Sequence, residues 1–177
     1  MSKIRFEILS VGIAVLLYGG AAAAQSASLP AAAPVPPAIV HAKKIFVANA
    51  GADGGLFPHP FSGNPDRGYN QFYADLKTAG LWELVSSPSE ADLVLELRLT
   101  APYGPTNADK QKGASDPLPM FRLVIYNAGN HFVLWALTET IDPANLQKTH
   151  DHNFDEAVRE ILTDFEALSG KVPAAVH

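Results

Sequence analysis

"ADLVLELRLT", Ala91 to Thr100, is the stretch on which the fold turns. Leucine recurs at 93, 95, 97 and 99, while Val94, Glu96 and Arg98 take the alternate positions. A period of two is the signature of a strand with one buried face and one wetter face. The stretch therefore predicts a sheet covered on one side only.

Working outward, Leu81 to Val85 ("LWELV") forms a short apolar segment before the turn "SSPSE". "MFRLVIYN", Met120 to Asn127, and "HFVLWALTET", His131 to Thr140, read as two strands. The Asn and Gly of the intervening "NAGN" predict a tight hairpin. Upstream, Ile45, Phe46 and Val47 form an apolar run between lysines and glycine, which suits a buried strand. Two helices complete the pattern. In "GNPDRGYNQFYADLKTAG", Asn64 can cap, Pro65 suits the first turn, and Gly80 suits the position past the end. In "NFDEAVREILTDFEALSG", Asn153 and Glu156 stand in capping-box spacing. Phe154, Ala157, Val158, Ile161, Leu162, Phe165 and Leu168 follow as one apolar stripe, and Gly170 closes it. The expected fold is α+β: one domain over 43–170, with a mixed or mostly antiparallel sheet of about five strands and two helices packed on one face. The first strand, helix and strand can form a crossover.

The amino end reads differently. Lys3 and Arg5 precede an uncharged apolar run from Ile8 to Gly20, and small residues at 22 and 24 fit a cut before Gln25. This pattern predicts a secretory signal over 1–24; retention of the segment would instead make it a membrane anchor. The run is shorter than the ~20 residues that span a bilayer. Residues 25–42, rich in proline and alanine, read as an extended spacer, and 171–177 as a tail. The sequence holds no cysteine, which excludes disulfides, thiolate nucleophiles, cysteine zinc sites and a lipid-anchored export signal. The expected location is the periplasm or the cell exterior. The net charge of −5, without a basic cluster, excludes a nucleic-acid footprint and a polybasic membrane patch.

Three segments resemble a group of exported bacterial proteins of unknown function: "KKIFVANAG", "FYADLKTAGLWELVSSPSEADLVLELRL" and "FRLVIYNAGNHFVLWALTE". The likeness covers roughly residues 43–168. More distantly, the plan is similar to small α+β envelope domains. The amino-terminal domain of the Tol-system propeller protein and the small lipoprotein of lipopolysaccharide export are examples. The resemblance implies a domain that docks on an envelope protein. With no cysteine to acylate, this sequence is not expected to carry a lipid anchor, nor a propeller.

Catalytic patterns are few. There is no G-x-S-x-G, and "GADGG" after the first strand lacks the nucleotide-binding glycine pattern. "THDHNFDE" places His150, Asp151 and His152 together, and an extended backbone there would let both imidazoles face a divalent metal. Such a site needs a third ligand, with His59 or His131 the candidates. The competing reading is a solvated loop whose acids serve the positive end of the following helix. No other cofactor is expected.

The long segment before the first helix is the other candidate. "LFPHPFSGNP" keeps Leu56, Phe57 and Phe61 among its prolines, so it can close over the core as an ordered lid. It can also offer Leu56, Phe57, His59, Phe61 and the adjacent Arg67 as a contact surface for a protein, or cover a small apolar ligand. The two roles are compatible.

Overall fold

The computed structural model describes residues 33–102 and 118–171. The expected signal over 1–24, the start of the spacer, most of the 101–119 loop and most of the tail lie outside the described residues. Five strands form one sheet: β1 (Lys44–Ala52), β2 (Glu83–Leu84), β3 (Leu93–Thr100), β4 (Met120–Asn127) and β5 (Val133–Thr140). Their order is β2-β1-β3-β4-β5. β1 runs parallel to both neighbours, and the β3–β4 and β4–β5 pairs are antiparallel. The helices are α1 (Pro37–His41), α2 (Arg67–Ala79) and α3 (Gln147–Leu168). α2 and α3 pack on each other and on the same face of the sheet, α2 against β1 and β3, α3 against β4 and β5. The fold is thus the α+β arrangement that the alternation predicted.

The physical cause is visible on β3. Leu93, Leu95, Leu97 and Leu99 are all buried, whereas Arg98 is exposed. Their partners across the ladder, Ile45 and Val47 on β1 and Phe121, Leu123 and Ile125 on β4, are buried too. α2 supplies Phe72 and Leu76 to this layer, and α3 supplies its whole predicted stripe, with Leu168 half-buried. Each fully buried leucine, isoleucine, valine or phenylalanine of this layer contributes roughly 1.5–3 kcal/mol by leaving water.

Several boundaries move. β1 passes through an irregularity at Asn49–Ala52 and ends later than its apolar run. α2 starts at Arg67, because Asn64 and Pro65 build the turn that enters it: the Asn64 carbonyl accepts from the Arg67 N–H at 3.0 Å. β5 starts at Val133, because His131 has a φ of 60° and closes the hairpin on the Asn127 carbonyl. β2 is a two-residue ladder, and Trp82 beside it is buried, stacked on Phe165 at 4.9 Å.

Two differences are larger. α3 begins at Gln147, six residues before the expected Asn153 cap, and Asn153 instead donates to the Asp142 carbonyl at 2.9 Å. The "THDH" stretch is therefore helix rather than the expected loop, and it does not offer the extended backbone that a two-histidine metal site there would need. The extra turns are held by contacts to residues 60–67, which local sequence does not show. The spacer also ends sooner than expected. α1 buries Ile39, and Ala42 after it is buried as well, so the core begins upstream of Lys43. Lys171, expected in the tail, donates to the Ala42 carbonyl and lies 4.8 Å from the Trp82 ring.

One close approach fixes the α2 docking. A Cβ at Gly68 would lie 2.6 Å from Phe121 Cε1 and 3.0 Å from its Cζ. Alanine favours helix by roughly 0.5–1 kcal/mol over glycine, but overpacking costs typically ~1–3 kcal/mol. Gly68→Ala is expected to lower stability by about 1 kcal/mol in urea unfolding. A stabilised variant would contradict the packing.

Candidate functional site

The segment from Asp53 to Asp66 crosses the end of the helical layer and is fixed at both ends. At its start, the Asp53 carboxylate accepts from Thr100 Oγ1 at 2.7 Å, the Ala101 N–H at 3.0 Å and Arg98 at 2.9 Å. The Arg98 bond first, then the bonds from Thr100 and Ala101, hold this carboxyl down to about 2. In its middle, Leu56 and Phe61 are buried and Phe57 is half-buried. Phe61 lies 5.1 Å from the Phe154 ring and Phe57 lies 6.1 Å from it, edge-on. Phe154 meets Phe121 at 5.0 Å, edge-on, so the segment joins the core through one aromatic cluster. Both the Phe57–Pro58 and His59–Pro60 peptides are cis.

Arg67 closes the other end. Its Nη1 donates to Asp151 Oδ1 at 2.6 Å and to the Ser62 carbonyl at 3.0 Å, and its Nη2 donates to Asp155 Oδ1 at 2.5 Å. The guanidinium carbon lies 4.5 Å from the Phe154 ring centroid. One planar cation thus ties α2, α3 and the loop together over an aromatic face. Asp151 also accepts from the Ser62 N–H at 2.9 Å, and Gln147 donates to the Pro60 carbonyl at 2.7 Å. Burial pushes the Asp151 carboxyl up. The bonds from Ser62, Arg67 and Gln147 outweigh it and hold the group well below the usual carboxylate range. Burial pushes the Arg67 guanidinium down, and the hydrogen bonds and charges of Asp151 and Asp155 outweigh that and raise it.

The candidate residues therefore divide. Leu56, Phe57 and Phe61 plug the core, and Arg67 is the clamp. His59 is exposed, with its Nδ1 3.3 Å from Gln147 Oε1. His150, Asp151 and His152 sit on α3, where residues two apart do not share a face. The His150 ring is set edge-on to Phe61 at 6.1 Å, Asp151 is engaged by Arg67, and His152 lies 3.7 Å from Glu156. Among the described residues no group of three or more His, Asp or Glu is placed to hold a metal. Sequence reading did not single out Gln147 or Asp155 as clamp residues. Their signal was the i, i+4, i+8 row of Gln147, Asp151 and Asp155, visible only once α3 is known to start at 147. Beside the loop lies a cavity of about 200 Å³, lined mainly by apolar residues including Leu56, Phe61, Pro119 and Ile141, with His150 on its wall.

The class defined by these features is a small α+β domain with a mixed five-stranded sheet and a clamped loop at one end. No family model and no curated protein matches the chain. Among solved structures, it is similar to a DUF4136 family protein from Bacteroides thetaiotaomicron. That match has 13% identity and a TM-score of 0.48, covering 75% of this chain and 92% of that one. It is similar to PelC from Paraburkholderia phytofirmans, at 16% identity and a TM-score of 0.42, covering 70% and 87%. A third similar structure is TolB from Acinetobacter baumannii. There the identity is 15% and the TM-score 0.32, covering 70% of this chain and 29% of TolB. At these identities the likeness concerns the arrangement of strands and helices alone.

Arg67→Met keeps the alkyl stem over Phe154 and removes the charge. Exposed ion pairs contribute ~0–1 kcal/mol and breaking buried ones costs ~3–5 kcal/mol, so this half-buried clamp is expected to cost about 2 kcal/mol. The sign with pH follows from the lowered carboxyls of Asp151 and Asp53. A carboxyl lowered by folding stabilises above its unfolded value, roughly 3.9, and that stability is lost as pH falls through the folded value. The native protein should lose stability steadily from about pH 5 towards pH 2. Arg67→Met should show a shallower acid limb by urea titration, because Asp151 no longer gains its partner. An unchanged limb would contradict the assignment.

Proposed function

We propose that this chain is an exported envelope domain that works by binding another protein rather than by turning over a substrate. The observation that carries this reading is the clamped corner. A segment of loop is held rigidly by an aromatic plug and by Arg67, and it displays Pro58 and His59 to solvent. Fixing loop backbone costs roughly 1–2 kcal/mol per residue, and a surface fixed in advance does not incur that cost on binding. The basic start and apolar run of residues 3–20 support export. A metal-dependent role through His150 and His152 would need ligands beyond those α3 brings together.

The cavity of about 200 Å³ beside the loop favours one second reading, a carrier for a small apolar molecule. Ligand binding to the native state raises the melting temperature, so saturating toluene should raise it under that reading. No rise would remove it.

The docking reading is tested in cells by a photo-reactive side chain at His59, with exposed Arg159 on α3 as control. A discrete crosslinked band from position 59 and none from position 159 is the expected result. Equal bands, or none at either position, would contradict docking through the corner.

A further inference from the structure

β5 is the last strand of the sheet, so its outer edge has no neighbour among the described residues. Natural edge strands are guarded by lysine, proline, bulges, inward-pointing charges or short length. Of these, β5 has one inward-pointing charge, Glu139, and an irregularity in its pairing at Ile125–Tyr126. β5 has eight residues, with neither lysine nor proline, and Glu139 is its only charge. At its start stand two of the most exposed apolar side chains described, Phe132 at 70% and Val133 at 58%. The opposite edge, β2, is a two-residue ladder and offers no comparable template.

Charge decides what can pair there. Glu139 stands opposite Phe121, on the face that carries α3. Burial first, then Glu160, Asp164 and Asp142, raises its carboxyl. Between β5 and α3 runs a groove lined by Thr140, Asp142, Asn153, Glu156, Ala157 and Glu160, with no lysine or arginine among its lining residues. His152 stands beside the row, its Nε2 3.7 Å from Glu156 Oε2. A second copy paired antiparallel along β5 would bring two such acidic rows to the same side of a continuous sheet, where like charges repel.

We infer that the outer edge of β5 takes up an extended segment of another protein as a sixth strand, and that this segment carries Lys or Arg on the side facing α3. Main-chain hydrogen bonds supply the affinity, and alternate side chains supply the selection. Apolar residues of the added strand meet Trp135 and Leu137, and its basic residues meet Glu139, Glu156 and Glu160. This rests on the reading of the chain as a protein-binding module, but uses a different surface from His59.

The probe is a capped peptide that alternates threonine with valine and carries lysine at both ends, so that it serves in either direction. Added to the full chain, it is expected to slow amide exchange along residues 134–139. Glu160→Lys should weaken that binding about tenfold, and a peptide with glutamate in place of lysine should recover it on the variant, since close charge pairs act in this range. Glu156→Lys, also at an exposed position, repeats the test if Glu160→Lys does not fold. No slowing at ~1 mM peptide, a level that still reports weak binding, overturns the inference. So does equal binding of the lysine and glutamate peptides, or a dimer that Val133→Lys dissociates. If the crosslink at His59 persists after such a failure, only the β5 assignment is lost.

Discussion

The Arg67 guanidinium holds together what the sheet alone cannot. The sheet and its two helices would pack through leucine and phenylalanine, but the segment between β1 and α2 has no ladder to join. Arg67 gives it one fixed place, bonding at once to the Ser62 carbonyl, to Asp151 and to Asp155. The underlying Phe154 ring makes the geometry demanding, because a planar cation satisfies both carboxylates and the aromatic face in one orientation. Lysine, a point charge on a flexible stem, would satisfy one of these at a time.

That clamp explains why α3 is long. Residues 147–152 have weak local reasons to be helical, and no N-cap side chain starts them. Their reason is tertiary: Gln147 holds the Pro60 carbonyl and Asp151 holds the Ser62 N–H. Loop and helix start are therefore one cooperative piece, each ordering the other. The aromatic cluster beneath them carries that order into the core through Phe154 and Phe121.

The same division shows what was legible in the sequence. The leucine alternation of β3, the apolar stripe of α3 and the glycine stops at Gly80 and Gly170 appear in the structure as read, because each depends on local periodicity or a positive φ. The burial of Ile39 and Ala42, the early start of α3 and the bonds to Arg67 were not legible. Each depends on residues far apart in the chain: Arg67 and Asp151 are 84 positions distant. The role of the 53–66 segment was legible by half. Its phenylalanines pointed to a closure over the core, while the polar clamp that fixes it needed the fold.

This corner is part of the folded unit and not a loose loop laid on it. Native-state amide exchange at Phe61 and Ser62 tests it most directly. The Phe61 N–H bonds to the Leu56 carbonyl at 3.2 Å and the Ser62 N–H to Asp151 at 2.9 Å. Both amides are expected to exchange as slowly as core positions such as Leu95, opening only with the α2–α3 end of the domain. Exchange at the rate of an unstructured chain, while Leu95 stays protected, would contradict it.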